Sequence, residues 1–300
     1  LLELVNDFNL INEKETCNYA ALAEGPGGFV ECFIRYRKKM FLGRNDVIQC
    51  MTLKSDSNDI PNWNKAYDIF KQNKVNITYG EDGTGNLYNY KNIVQFSKDL
   101  NGTLVDLVTA DGGFDYSVNF NQQEQMSSRL IFAEMVCAFQ VSDIGAHFVL
   151  KIFDIYTILT IKILYLLTLY YDEVIITKPH TSRPANSEKY VVCKGFKGIS
   201  DDMKLQFLNI LDEWENMSKK KIVSDISGII VPNKFIESIY TLNKTYAKMQ
   251  ITNILKTIVF IEMELDNKDL SYLKKCQSIY ALEWCRKYNN PVNHSGISLY

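Results

Sequence analysis

Three charged side chains stand where chemistry could gather. "TADGGFD" sets Asp111 before two glycines, "LKIFD" sets Lys151 at the end of an apolar run, and "SRPANSEKY" sets Glu188 at the head of another. A carboxylate, an ammonium and a second carboxylate on one rim form a unit that can hold or move a proton. A fourth feature is "EGPGGFVECF", Glu24 to Phe33, whose three glycines and one proline lie between a strand-like and a helix-like stretch. Glycine admits close approach and positive φ, and a glycine turn at a helix N-terminus is where α/β folds hold nucleotide-like ligands. The turn is not G-x-G-x-x-G, no lysine follows it as in a P-loop, and no nucleophile–histidine–acid order is present. Dinucleotide redox chemistry, P-loop phosphoryl transfer and nucleophilic catalysis all lose ground. Taken singly, Asp111 reads as a turn residue, Lys151 as a snorkelling strand end and Glu188 as its ion-pair partner. Their position at strand ends beside a glycine turn points to a site.

The elements that must carry these residues alternate. The sequence predicts strands at Tyr19–Ala23, Asp46–Met51, Leu104–Ala110, His147–Lys151, Glu173–Thr177 and Lys189–Lys194, with amphipathic segments such as Gln122–Val141 and Thr157–Tyr171 between them. Such alternation implies a mainly parallel sheet with helices on both faces, and open sheets of this kind bind ligands at their strand ends. "KPHTSRPANS" is too short and irregular for a helical crossover, so the last strand is expected to be antiparallel. From about residue 201 the pattern is helical throughout, with Leu205, Leu208 and Leu211 along one face of "DDMKLQFLNILDEWENMSKKK". No Gly/Ser/Pro-rich linker intervenes. The expected organisation is an α/β domain over 1–200 and a helical extension over 201–300 packed on it.

With 300 residues, 46% hydrophobic and 23% charged, the chain has ample core. A net charge of −2 gives no global basic field, so any RNA contact must come from local clusters such as Arg35, Arg37, Lys38 and Lys39. The seven cysteines are scattered with no C-x-x-C, and the three histidines, His147, His180 and His294, are far apart. This argues for a reducing compartment and against a disulfide framework or a zinc site. "ILTIKILYLLTLYY", Ile158 to Tyr171, is interrupted by Lys162 and falls short of the roughly 20 apolar residues a membrane span needs.

The strings "EGPGGFVE", "MTLKSDSND", "TADGGFD", "GAHFVLKIFD" and "ITKPHTSRPANSEKYVVCKGFK" closely resemble the FtsJ-like ribose 2′-O-methyltransferases, above all the cap-specific mRNA type of eukaryotes and large DNA viruses. The motifs come in family order, and the likeness continues through "IIVP", "KMQITNIL" and "ALEWCRKY". The resemblance implies a Rossmann-like class I methyltransferase sheet, S-adenosyl-L-methionine as cofactor and the capped 5′ end of mRNA as partner. It also implies an intracellular place of work, the nucleus or a cytoplasmic viral replication site, and the scattered cysteines and histidines add no metal to the expected site.

The family carries a Lys-Asp-Lys-Glu tetrad. The resemblance maps its aspartate to Asp111, its second lysine to Lys151 and its glutamate to Glu188. The first lysine is expected at the residue just before Leu1, on the helix that "LLELVNDFNL" continues, which implies a chain cut at its N-terminus; Lys14 lies too close to the glycine turn to replace it. In this scheme Lys151, when neutral, takes the proton of the ribose hydroxyl, Asp111 orients it and Glu188 keeps the lysines in register. Gly25, Pro26, Gly27, Gly28, Phe29, Thr52 and Asp111 line the cofactor. "GTGNLYNYKNI" is similar to the adenine loop, with Asn86 where relatives often show aspartate. Arg183 and Asn186 are the implied RNA contacts, and Phe114, Tyr116 and Tyr36 are candidates for stacking on a methylated guanine. Two other readings remain: a ribosomal or transfer RNA 2′-O-methyltransferase, and a catalytically silent cap- or RNA-binding module.

Overall fold

A computed structural model describes residues 1–43, 45–54, 62–113, 122–217, 223–263 and 266–292. Seven strands form one sheet in the order β3-β2-β1-β4-β5-β7-β6. They are β1 (Tyr19–Leu22), β2 (Ile48–Met51), β3 (Asn76–Ile77), β4 (Val105–Ala110), β5 (Ser142–Ile152), β6 (Tyr171–Thr177) and β7 (Lys189–Phe196). The first five run parallel, and β7 is antiparallel to both neighbours. This is the mostly parallel sheet with an antiparallel last strand that the sequence predicts. β3 has only two residues and was not expected. β5 is longer than its apolar run because the chain pairs with β4 directly on leaving the preceding helix, with a register shift between Val105 and Leu107.

Strand β1 is wholly buried, having neighbours on both edges and helices on both faces. Its side chains alternate: Ala20 and Leu22 join one core with helices α4 (Tyr90–Asp99), α5 (Gln123–Val141) and α6 (Ile158–Tyr170), while Tyr19 and Ala21 join the other with α1 (Leu2–Phe8), α2 (Gly28–Lys39) and α3 (Tyr67–Gln72). The strand order reverses between β1 and β4, and such a switch point opens a crevice at the strand ends.

Helix α5 is buried nearly all round because it lies between the sheet and α7 (Asp201–Asn216), whose Phe207, Leu208 and Leu211 face inward. Leu205, expected on that face, is exposed; the buried stripe follows Phe207, Leu208 and Leu211 instead. Lys162, which interrupts the apolar run of α6, is buried, donates to the Ile226 carbonyl at 2.9 Å and pairs with Asp225 at 2.6 Å. Among the described residues no helix is long and apolar enough to cross a membrane. Helices α8 (Asn233–Glu262) and α9 (Asn267–Lys287) follow. Helix α8 reaches the sheet domain through Asn243 to the Ile155 carbonyl, Tyr246 to the Ile176 carbonyl and Gln250 to the Ala185 carbonyl.

Candidate active site

Register places the central pair. Leu22 pairs with Ala110, Ala110 with Leu150, and Lys151 with Tyr190. Asp111 and Lys151 are the next residues of adjacent parallel strands, so they leave the sheet side by side. By alternation both lie on the face that carries α1 and α2, as Thr109 and Val149 do. The Lys151 ammonium donates to the Asp111 carbonyl at 2.6 Å and lies 3.3 Å from its carboxylate. The Tyr190 hydroxyl donates to the same carboxylate oxygen at 2.8 Å. Burial, reinforced by the charges of Asp111 and Glu188, keeps that phenol far above its usual range, so it stays a donor.

Behind this pair sit two acids that pattern reading passes over. Glu134 on α5 is 1% exposed and accepts from the Gly112 N–H at 3.2 Å, bracing the turn after β4. Burial pushes its carboxyl up to about 8, with Lys151 working against the shift. Glu24, directly after β1, is 3% exposed, and one carboxyl oxygen lies 3.3 Å from the Tyr19 hydroxyl and 3.4 Å from that of Thr109. Burial, with Asp111 adding to it, raises Glu24 well above the carboxylate range. A protonated acid here is a donor as well as an acceptor. The available signal was a charged residue closing the apolar run "YAALAE".

The glycine turn begins where the Gly27 N–H returns to the Glu24 carbonyl at 2.8 Å. Gly27, at φ 100°, is the residue before α2, and a side chain there would press on Phe70 and Ala66. Gly25 is half-buried and Pro26 is exposed. Phe29 turns its ring toward Tyr190, with centroids 6.0 Å apart. One observation fits a ligand in this crevice: the second carboxyl oxygen of Glu24 is buried without a hydrogen-bond partner among the described residues. Gly28, at the helix N-terminus, is exposed with open space before it, and it also borders the groove between α1, α2 and the end of α9.

A second wall comes from the strand end of β2. Thr52 is buried, and its carbonyl lies so close to Gly85 (φ 70°) that a Cβ there has no room. The Lys54 N–H donates to the Thr84 carbonyl at 2.7 Å, tying the two segments together. Asn86, half-buried, spends one lone pair of its amide oxygen on the Tyr88 N–H at 3.0 Å, and its amino group makes no hydrogen bond among the described residues. Asp82, missed in the sequence, organises this loop. Despite the opposing effect of burial, hydrogen bonds from Thr84, Asn89 and Asn92 bring its carboxyl down to about 2.

Glu188 stands on the segment 178–188 between β6 and β7. Its carboxylate accepts from the Ser182 hydroxyl at 2.7 Å; no ion pair joins it to Lys151 among the described residues. Asn186 is half-buried with its amide oxygen on the Lys178 ammonium at 2.7 Å, and Arg183 is exposed. Glu3 of α1 holds the other shoulder of this segment, accepting from the His180 and Thr181 N–H groups at 2.7 and 2.9 Å.

The basic run on α2 divides. Arg37 is 1% exposed and forks onto Asp46 at 2.7 and 2.9 Å while donating to the Asn12, Lys14 and Glu15 carbonyls. It is a structural strut and leaves the candidate RNA cluster. Arg35, Lys38, Lys39 and Tyr36 line a groove of about 810 Å³ between α1, α2 and the end of α9, where Tyr288 closes it. Phe114 and Tyr116 lie outside the described residues.

A family model for FtsJ-like methyltransferases matches residues 1–196. The cap-specific mRNA (nucleoside-2′-O-)-methyltransferase 1 of Mus musculus is 33% identical over 259 residues, covering 81% of this chain and 30% of that protein. The Homo sapiens protein of the same name is 33% identical over 265 residues, covering 83% and 30%. That of Danio rerio is 31% identical over 285 residues, covering 90% and 33%. The chain thus spans about a third of the length of these curated relatives.

Proposed function

The chain belongs to the FtsJ-like methyltransferase family, and from that premise we propose that it methylates the ribose 2′-hydroxyl of RNA, at the cap-proximal nucleotide of mRNA. The observation that carries this reading is the Lys151–Asp111 pair, set at adjacent strand ends beside a glycine turn. The cap preference rests on the likeness to the cap-specific relatives, which runs beyond the family model into the helical segment. Residues 1–200 would carry the chemistry and 201–300 would brace it, through the contacts of α8 with the segment 178–188 and with β6. The place of work would be where capped transcripts are made, the nucleus or a cytoplasmic viral site.

The residues present fit S-adenosylmethionine. Gly25 to Phe29 and the α2 N-terminus would face its amino-acid and ribose portions, and Thr52 and Asn86 its adenosine end. Glu24 offers a buried carboxyl with an unused oxygen. When bound, the cofactor supplies a methyl group on a sulfonium, an electrophile that needs an aligned and partly deprotonated oxygen.

Lys151 would act on that oxygen. A neutral amine has two N–H donors and one lone pair. The Asp111 carbonyl and carboxylate both lie within reach of the Nζ, so they occupy the donors and leave the lone pair for the ribose hydroxyl proton. Tyr190 anchors the shared carboxylate oxygen from the other side, which fixes the direction of that lone pair. Acid–base help of this kind contributes roughly 10²–10⁴-fold. Arg183 and Asn186 would meet the RNA near the target ribose, with Arg183 exposed and the Asn186 amino group still available.

The test is methyl transfer by the full-length protein to short transcripts with and without a cap. Faster transfer to the capped RNA supports the reading. Equal rates point to a ribosomal or transfer RNA enzyme, and RNA binding with no transfer points to a silent binding module.

A further inference from the structure

The segment 178–188 carries Glu188, Asn186 and Arg183, yet it has no regular secondary structure to shape it. Its shoulders are fastened from outside. Glu3 takes the His180 and Thr181 N–H groups, Gln250 donates to the Ala185 carbonyl, and Ser187 donates to Gln123 at 2.7 Å. Within it, Ser182 donates to the Glu188 carboxylate, the Ser182 and Asn186 N–H groups close turns on Pro179 and Arg183, and one side chain joins several of these points. The Lys178 ammonium donates to the Ser182 hydroxyl at 3.0 Å, the Asn186 amide oxygen at 2.7 Å, the Asn186 carbonyl at 3.2 Å and the Glu188 carbonyl at 2.6 Å. These partners lie four, eight and ten positions along the chain, so the loop is wrapped around this one cation.

We propose that Lys178 is a positioning residue that shapes the segment 178–188 for RNA, fixing Asn186 and Glu188 from inside the loop. The inference rests on the RNA methyltransferase reading above and adds a residue that the tetrad does not contain. Lys178 meets no reacting atom. It acts through Asn186, whose oxygen it fixes so that the amino group is turned away from the loop interior, and through Ser182, which joins the same ammonium to the Glu188 carboxylate. Because the shoulders have their own anchors, loss of Lys178 loosens the centre of the loop and leaves the fold and the cofactor crevice in place.

The charged groups that face Lys178 are Glu188, Lys189 and Arg183, and Glu3 of α1 lies against the neighbouring N–H groups. Burial, helped by Lys189 and Arg183 and opposed by Glu188, brings the ammonium down to about 8. Above that pH the amine keeps two donors for the same set of acceptors. The RNA-binding form of the loop therefore weakens with rising pH. The effect falls on KM for RNA.

The experiment compares wild type, Lys178→Met and Lys178→Arg in the full-length protein, with a capped transcript as substrate, S-adenosylmethionine affinity by calorimetry and Tm as controls. The expected result for Lys178→Met is a rise of about tenfold or more in KM for RNA, with cofactor affinity within about threefold. Wild-type KM should climb between about pH 7 and about pH 9, while Lys178→Arg, charged throughout, recovers most of the RNA affinity and shows a flat KM over that range. The wild-type profile stands even where Lys178→Met fails to fold. An unchanged RNA KM in a folded Lys178→Met, or a flat wild-type KM, overturns the inference while leaving the enzyme reading intact. A wild-type protein that transfers no methyl to any RNA overturns both.

Discussion

Lys151 grips Asp111 twice, its ammonium 2.6 Å from the backbone carbonyl and 3.3 Å from the carboxylate of the same residue. One residue thus supplies both partners, and both belong to a strand end fixed by sheet register rather than to a loose side chain. On the proposed mechanism, replacing Lys151 by alanine removes the proton acceptor and leaves the glycine turn in place. Methyl transfer should fall on the order of 10²–10⁴-fold or more, with cofactor affinity within a few-fold. Single-turnover kinetics and calorimetry on the full-length protein check both halves of the expectation.

Glu134 should impose a pH dependence on stability. Its carboxyl rises from 4.5 to about 8 in the folded chain. Below about pH 4.5 both states hold the proton and the acid is harmless. Between there and about pH 8 only the folded state keeps it, so stability is lost as pH rises through that window and the loss is constant above it. Glu134→Gln keeps an acceptor for the Gly112 N–H and removes the titration. The variant should match wild type near pH 5 and exceed it by a few kcal/mol near pH 8 to 9, read as urea unfolding at each pH. A difference independent of pH would refute the assignment.

The glycines of the turn should part company. Gly27 has φ 100° and faces Phe70, so Gly27→Ala strains the backbone and crowds the core; Gly28 has open space in front of it. Gly28→Ala should leave Tm unchanged or slightly higher, as expected for alanine in a helix, while on the proposed placement of the cofactor S-adenosylmethionine affinity falls by about tenfold or more. Gly27→Ala should lower Tm. Thermal unfolding with calorimetry separates the two.

Arg37→Met should destabilise the fold by roughly 3–5 kcal/mol, since it leaves Asp46 buried without its partner. RNA affinity per folded molecule should not change. Lys38→Glu at the groove should leave stability within about 0.5 kcal/mol. Denaturant midpoints set beside RNA titrations distinguish strut from surface.

The pairing of Asp111 with Lys151 was legible because both charges stand where an apolar strand run ends. Asp111 and Lys151 each follow an apolar strand run, and the short irregular link before Lys189 forces the antiparallel turn. Arg37 was misread: it shares the helical face of Val30, Phe33 and Ile34, all buried, but its place in a basic run put it with the candidate RNA contacts. Glu24 and Glu134 were not legible, because a buried acid inside an apolar stretch has the pattern of an error until its partners are seen. Lys178 hides for the same reason. A sequence shows a lysine beside a proline, and only the folded loop shows that its ammonium turns inward to four acceptors. β3, two residues long, is below any periodic signal.

The most direct test of the account uses two capped transcripts identical except at the first nucleotide, one with its ribose 2′-hydroxyl and one with 2′-deoxyribose there. Transfer of labelled methyl from S-adenosylmethionine by the full-length protein should occur on the first and vanish on the second. Equal labelling of both would contradict the assignment of the Lys151–Asp111 pair to a ribose oxygen.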